Sequence, residues 1–375
     1  MSSGFALGFA VSDTPWHLVS HLFPDKIGGR PAWLALRNLP SPNELICPLC
    51  SNPMCFVLQI YSPLSEKSDC FHRMLFLFMC RNGKCHHQAD STPFCVFRSQ
   101  LPRDNCYYSF EPPKNESPQW ETLKSMFEKN SLPWAGKYSS LCPTCGCKAN
   151  KTCSKCKTVC YCSKVHQVLD WKRHKSECGS KCESRCDAMK LLFERNTFLL
   201  PEYRLCSEPA DDRSDDDVNE ESDSEISELE IQNDNETKAL ESIAKKETKE
   251  EARFRKFKEV MKSAPDQVIR FQRGGNPIWL SESPPIVEEC EVCGAERIFE
   301  FQVTPQLLCH LQLDRVDELS PDFGSLYIFT CSNSCPLPRK RINIGNTEQR
   351  CSSQLDDEEY LIEYQREVVI RQMVP

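Results

Sequence analysis

Residues 142–178 constrain this chain more than any other stretch, because they hold four metal-ligand pairs within 37 residues. The pairs are Cys142-x2-Cys145, Cys153-x2-Cys156, Cys162-x3-His166 and His174-x3-Cys178. A tetrahedral Zn²⁺ takes four thiolate or imidazole ligands, and one short turn can present two of them. Eight ligands therefore serve two ions. An interleaved arrangement assigns Cys142, Cys145, Cys162 and His166 to one zinc and Cys153, Cys156, His174 and Cys178 to the other. Cys147 and Cys160 are left over, and Cys160 is an alternative to Cys162. The last two pairs lie on VHQVLDWKRHKSEC, which has helical spacing between His166 and His174.

This ligand order, with Tyr161-Cys162 followed by Gln167, Trp171 and His174, resembles a MYND zinc finger. The family usually carries cysteine where this chain has His166, a substitution that zinc tolerates. The resemblance implies a protein-interaction module in which Gln167 and Trp171 line a groove for a short proline-containing peptide. The competing reading is that Trp171 only covers the metal core.

Twenty-five cysteines in 375 residues would suit a secreted disulfide protein, but such chains are usually short and begin with a signal peptide. Here the cysteines come in CxxC-type pairs, and MSSGFALGFAVSDTPWH lacks a basic region and a long apolar segment. Reduced, metal-bound thiolates in cytoplasm and nucleus are expected. No apolar run approaches the roughly 20 residues that span a bilayer, so no membrane partner is expected.

The flanking regions read as β structure. Residues 1–110 form an N-terminal half with short apolar runs (FALGFAV, AWLAL, CFVLQIY, MLFLFMC, FCVFRSQL, CYYSF) between Pro and Gly punctuation. Cys47-x2-Cys50 and Cys80-x4-Cys85 border these strands and make one zinc knuckle, with His86 and His87 as rival ligands. Cys55, Cys70, Cys95 and Cys106 read as small buried side chains. A linker, 111–140, holds one helical stretch, WETLKSMFEKN, and leads into the finger at 141–179.

The finger has eight Lys and Arg against two Asp and Glu. That positive face could attract nucleic acid or an acidic peptide, or be a solvated lysine surface. A short helical segment is expected at 180–206. A disordered acidic linker follows at 207–237, with fourteen acidic residues and one basic in 208–236. An amphipathic helix is expected at 238–264, its stripe of Leu240, Ile243, Phe254, Phe257 and Met261 packing on its own domain and Pro265 stopping it.

Residues 265–375 repeat the first half. Gly28-Gly29-Arg30-Pro31-Ala32-Trp33-Leu34 is matched by Gly274-Gly275-Asn276-Pro277-Ile278-Trp279-Leu280. Cys47-x2-Cys50 is matched by Cys290-x2-Cys293, and Gln59 by Gln302. The closing pair Cys80-x4-Cys85 is matched by Cys331-x3-Cys335, giving a second knuckle from Cys290, Cys293, Cys331 and Cys335. The expected fold is mainly β, with small zinc-binding modules. Two repeated β halves form one pseudo-symmetric body with a cleft at their junction, and the finger and acidic linker are inserted between them.

GGRPAWL, CPLC, VFRSQLPR, the finger, VIRFQRGGNPIW, CEVCGAERIFEFQVTPQLL and SLYIFTCSNSC resemble, in order, the programmed cell death protein 2 family. The resemblance covers nearly the whole chain outside the acidic linker, and the finger separates it from the finger-less paralogue. It implies a dedicated chaperone that captures one newly made small-subunit ribosomal protein, eukaryotic S-two, and delivers it to the pre-ribosome. A basic client with unpaired surfaces suits an acidic carrier, and direct nucleic-acid binding is not expected. The alternative is a nuclear adaptor recruiting co-regulators through the finger.

An enzyme is not expected. MYND modules accompany some lysine methyltransferase domains, but Cys335 closes the second knuckle and the chain has no cofactor signature, phosphate loop or nucleophile elbow. Cys309 reads as core rather than catalytic.

Overall fold

The computed structural model describes residues 5–374 except 89, 114–116, 180–191, 211–248, 281–284, 316–318, 338, 342–358 and 362. Residues 211–237 of the acidic linker's expected span, the start of the amphipathic helix with Leu240 and Ile243, and residues 180–191 of the 180–206 segment lie outside the described residues.

The apolar runs close into one barrel. Its strands are β1 (Phe5–Val11), β2 (Lys26–Ile27), β3 (Cys55–Tyr61), β4 (His72–Met79) and β5 (Phe94–Leu101) from the N-terminal half. β8 (Tyr203–Ala210) follows the finger, and β9 (Gln267–Phe271), β10 (Arg297–Val303), β11 (Ser325–Cys331) and β14 (Gln365–Gln372) come from the C-terminal half. Two small ribbons stand apart, β6 (Lys151–Thr152) with β7 (Cys160–Tyr161) and β12 (Arg339–Arg341) with β13 (Glu359–Leu361). Round the barrel the order is β1-β8-β2-β3-β4-β5-β14-β11-β10-β9, and β9 pairs back to β1. Every neighbouring pair is antiparallel.

Closure corrects the expected cleft. The two halves meet along hydrogen-bonded seams, β5 with β14 and β1 with β9, so each half completes the other's sheet edge. Residues that sit opposite in register share a face. Leu58, Leu77 and Val96 therefore line up on one side of the sheet, while Gln59, Phe76 and Phe97 share the other. Strands such as HRMLFLFM are buried on both faces, with Trp33 of the loop after β2 packed on Phe76 and Phe78.

Three segments differ from expectation. Residues 32–36, AWLAL, are buried but form no strand, because Gln59 Oε1 accepts from the Ala32 N–H (2.9 Å) and Gln59 Nε2 donates to the Ala32 carbonyl (3.2 Å). CYYSF is a bent segment, held where the Asn105 side chain accepts from the amides of Tyr107 and Tyr108. Residues 203–210, which fall across the boundary between a helical segment and the acidic linker, form β8 between β1 and β2.

The helices pack locally. α1 (Trp120–Glu128) buries Leu123 and Phe127 at i,i+4 spacing against Leu132. α2 (Lys164–Glu177) is the finger helix, its Ser163 N-cap accepting from the His166 amide at 3.1 Å. α3 (Lys249–Ser263) seats Phe257, Val260 and Met261 on Leu280, so its apolar stripe faces its own barrel. A short α4 (Gln306–His310) follows β10 and leaves Cys309 exposed, not core as the sequence suggested. No helix among the described residues is long and apolar enough to cross a membrane.

Candidate metal centres

Each CxxC pair folds into the same turn. In all four the amide four residues after the first cysteine bonds its carbonyl: Ser51 to Cys47 (2.9 Å), Gly146 to Cys142 (2.8 Å), Lys157 to Cys153 (2.9 Å) and Gly294 to Cys290 (2.7 Å). That fourth residue has positive φ throughout, at 58°, 75°, 58° and 68° respectively. Glycine adopts this conformation freely, while Ser51 and Lys157 are held in it by the turn. Such a turn aims both sulfurs to one side.

The structure brings the sixteen predicted ligands into four sets, each with all ligand atoms within 4.8 Å of one another. They are Cys47/Cys50/Cys80/Cys85, Cys142/Cys145/Cys162/His166, Cys153/Cys156/His174/Cys178 and Cys290/Cys293/Cys331/Cys335. The finger's pairs are thus interleaved.

Distances within the sets test whether a metal fits. Zinc–sulfur and zinc–nitrogen bonds of about 2.3 and 2.05 Å give tetrahedral edges of ~3.8 Å between sulfurs and ~3.6 Å between sulfur and nitrogen. The observed sulfur separations are 3.6 Å (Cys50–Cys80), 3.7 Å (Cys145–Cys162), 4.0 Å (Cys153–Cys178), 3.7 Å (Cys290–Cys335) and 3.5 Å (Cys293–Cys331). His166 Nδ1 lies 3.6 Å from Cys142 Sγ and 3.0 Å from Cys162 Sγ, and His174 Nε2 lies 3.5 Å from Cys156 Sγ. These are tetrahedron edges, far beyond a disulfide bond of about 2.05 Å. The donors suit zinc, which bound there would crosslink each turn to its partner pair.

The rival ligands are placed elsewhere. His86 Nε2 faces the Cys80 carbonyl at 2.8 Å and its Nδ1 faces Arg371, so the ring is occupied. Cys160 Sγ contacts the Thr152 hydroxyl on the β6–β7 ribbon, outside the cluster. Cys55 and Cys95 are buried thiols, each pushed up to about 12 by burial, and Cys70 is buried as well. Cys106 is exposed, contrary to the sequence reading, because its segment is bent rather than stranded.

Placement of the clusters follows from topology. Five antiparallel pairings separate β3 from β10, so those strands run in opposite directions. One knuckle sits before β3 and after β4, and the other before β10 and after β11, so they cap opposite ends of the barrel.

The finger's two clusters differ in burial. All four ligands of the first are buried, and Cys142, Cys145, Cys162 and Tyr161 belong to the same core as β3, β4 and β5. Trp33 Nε1 donates to the Gly146 carbonyl (2.9 Å), and Arg30 donates to the carbonyls of Pro143 (2.6 Å) and Glu194 (2.7 Å). In the second cluster, Cys156 and Cys178 are half-buried. On α2, Gln167 is half-buried, and Trp171 is 40% exposed beside Val168 and Leu169 while one face of its ring approaches His174.

The two halves carry matching contacts. Gln302 bonds the Ile278 amide and carbonyl (both 3.1 Å), as Gln59 bonds those of Ala32. Trp33 packs on Phe76 and Phe78, and Trp279 packs on Tyr327 and Phe329. The register of β3 against β4 slips between Phe56 and Leu58, and that of β10 against β11 between Phe299 and Phe301.

Charges buried between the halves escaped the sequence reading. Arg73 of β4 pairs with Glu300 of β10 (2.7 Å), both fully buried, and Arg273 and Thr330 also hold Glu300 at 2.6 Å. Burial would raise the Glu300 carboxyl, but the guanidinium of Arg73 outweighs it and holds it down at about 2. Arg98 of β5 pairs with Glu367 of β14 (2.6 Å) and reaches the Cys335 carbonyl (3.2 Å). The legible signal was a lone charge inside an apolar strand: Arg73 in HRMLFLFM, Arg98 in FCVFRSQL and Glu300 in IFEFQV.

Comparison with known proteins places this architecture. Residues 4–115 match the Programmed cell death protein 2 N-terminal domain, 251–372 its C-terminal putative domain, and 142–178 the MYND finger. The chain is 43% identical over 348 residues to Programmed cell death protein 2 of Bos taurus, covering 92% of this chain and 94% of that one. Against Programmed cell death protein 2-like of Mus musculus, identity is 23% over 359 residues, or 90% and 91% of the two chains. Probable 20S rRNA accumulation protein 4 of Schizosaccharomyces pombe is 27% identical over 119 residues, 28% of this chain and 29% of that one. No solved structure matches. With both terminal domains and the finger in order on a single chain, the protein belongs to the programmed cell death protein 2 family.

Proposed function

We propose that this protein is a non-enzymatic chaperone that binds a newly made small-subunit ribosomal protein, eukaryotic S-two, and escorts it from cytoplasm to nucleus for pre-ribosome assembly. The observation that carries the reading is the relative named for 20S rRNA accumulation, joined to family membership. Charge supports it. The finger's eight cations and two anions leave fourteen net negative charges on the rest of a chain whose total is −8, which favours a basic client.

In the same reading the four clusters each hold one zinc ion, and the matching contacts of the two strand sets descend from a duplicated half. The linker's acids add electrostatic attraction that weakens as salt rises.

Affinity purification of the chain at native abundance tests the proposal. The expected result is one basic ribosomal protein in near-stoichiometric amount. Exposed Trp171, Val168 and Leu169 favour a second reading, the finger as adaptor for a proline-containing peptide. Recovery of nuclear co-regulators that Trp171→Ala abolishes, without a ribosomal protein, would replace the first reading by the second.

A further inference from the structure

The Gly-Gly-x-Pro-x-Trp segment of the N-terminal half is a seat. Trp33 and Arg30 both donate to backbone carbonyls of the finger, and Trp33 is left 2% exposed. The occupant of that seat carries net positive charge. In the C-terminal half the corresponding segment has no such cover among the described residues. Trp279 is half-buried, its indole N–H has no partner there, and Asn276, in the position of Arg30, is exposed.

Around Trp279 the outer face of the sheet is apolar, with Val287, Val368 and Ile370 half-buried against Phe299, Tyr327 and Phe329. Ile286 is 96% exposed at its edge. The bordering loop, 285–296, contains Glu288, Glu289, Glu291 and Glu296 and no Lys or Arg. All four glutamates are exposed. Glu291 pairs with Arg297, while Glu288, Glu289 and Glu296 have no cationic partner among the described residues. Arg366 on β14 is the opposing charge on this face.

We propose that this face docks a basic polypeptide segment of the client, which offers a backbone carbonyl to Trp279, an aliphatic side chain to Ile286 and Val287, and cations to Glu288 and Glu289. The proposal rests on the chaperone reading. An apolar centre with an acidic rim is the arrangement in which desolvation gives affinity and charge gives association rate and partner choice. The Trp279 indole N–H, without a partner among the described residues, can donate to a client carbonyl as Trp33 donates to that of Gly146.

The test uses the full chain, immobilised, and recombinant eukaryotic S-two ribosomal protein as the probe. Ile286→Asp and the double charge reversal Glu288→Lys/Glu289→Lys change exposed side chains and leave the thermal midpoint in place. Each is expected to weaken capture by about tenfold at moderate salt, the charge reversal less so as salt rises. Val168→Asp, on the finger, captures as the parent does. Parental capture by both face variants, with loss in Val168→Asp, overturns the proposal and leaves the chaperone reading standing. Loss of chain self-association in the face variants, with capture intact, assigns the face to a second copy and also overturns it. A parent chain that captures no ribosomal protein removes both.

Discussion

The two strand sets of the barrel carry the same Gly-Gly-x-Pro-x-Trp segment, the same glutamine clamp and the same aromatic stack, yet they are finished differently. Over the N-terminal set the finger is seated through its first metal cluster, and Trp33 is sealed. Over the C-terminal set the stack ends at a half-buried Trp279 beside four exposed glutamates. A shared scaffold thus serves one interaction within the chain and leaves an equivalent surface for one outside it. The finger, in turn, is not a uniform appendage. One of its clusters is core and the other is periphery.

The largest expected effect separates those two clusters. Cys142→Ala removes a buried ligand from the shared core, and apparent zinc-binding energies are about 10–16 kcal/mol. The barrel's own thermal transition should fall by many degrees. Cys153→Ala should instead unfold only the outer part of the finger and leave that transition within a few degrees of the parent, as scanning calorimetry would show. Equal losses in the two variants would mean that the finger folds as one unit with the barrel.

Next in size is the ion pair across the barrel. Glu300→Gln leaves Arg73 buried without its carboxylate, a change that typically costs about 3–5 kcal/mol. The pH dependence has a definite sign. A carboxyl lowered to about 2 from its usual 4.5 contributes stability that is complete above pH 4.5 and lost as pH falls toward 2. The stability gap between parent and Glu300→Gln, followed by denaturant titration, should therefore narrow across that window. A gap independent of pH would show that Glu300 acts through packing alone.

The two tryptophans report on how far each face is covered. Trp33→Ala should cost about 3–5 kcal/mol, as large aromatic truncations in cores do. Trp279→Ala should cost about half that, because its ring keeps solvent on one side. Trp33→Phe keeps an aromatic ring in the stack but removes the bond to Gly146 and part of the buried ring system, a loss of about 1–3 kcal/mol. Equal destabilisation by the two alanine variants would mean the faces are equally covered.

Much of this was legible in the sequence because ligand spacing and strand periodicity are local. The CxxC turns, the interleaved finger and the flanking strands each follow from a few neighbouring residues. What was not legible was long-range. β8 is encoded by YRLCSEPA, a polar, proline-containing run that becomes a strand only because β1 and β2 leave a gap to fill. AWLAL satisfies strand composition, but Gln59, well downstream in the chain, takes the hydrogen bonds that a sheet partner would have taken. Closure replaced the expected cleft because β5 and β14 each had an unpaired edge, and no local pattern shows which edge another strand will meet.

One metal turn of the finger is part of the barrel while its neighbour is not, and hydrogen exchange on the intact, zinc-loaded chain distinguishes the two. The amides of Cys142 and Gly146 bond the carbonyls of Cys147 and Cys142, and those of Cys153 and Lys157 bond Val159 and Cys153, so the two turns are chemically alike. Cys142 and Gly146 should exchange only with global opening, at the rate of β3 and β4, while Cys153 and Lys157 exchange earlier through local opening. Simultaneous exchange of both turns, ahead of β3 and β4, would contradict that division.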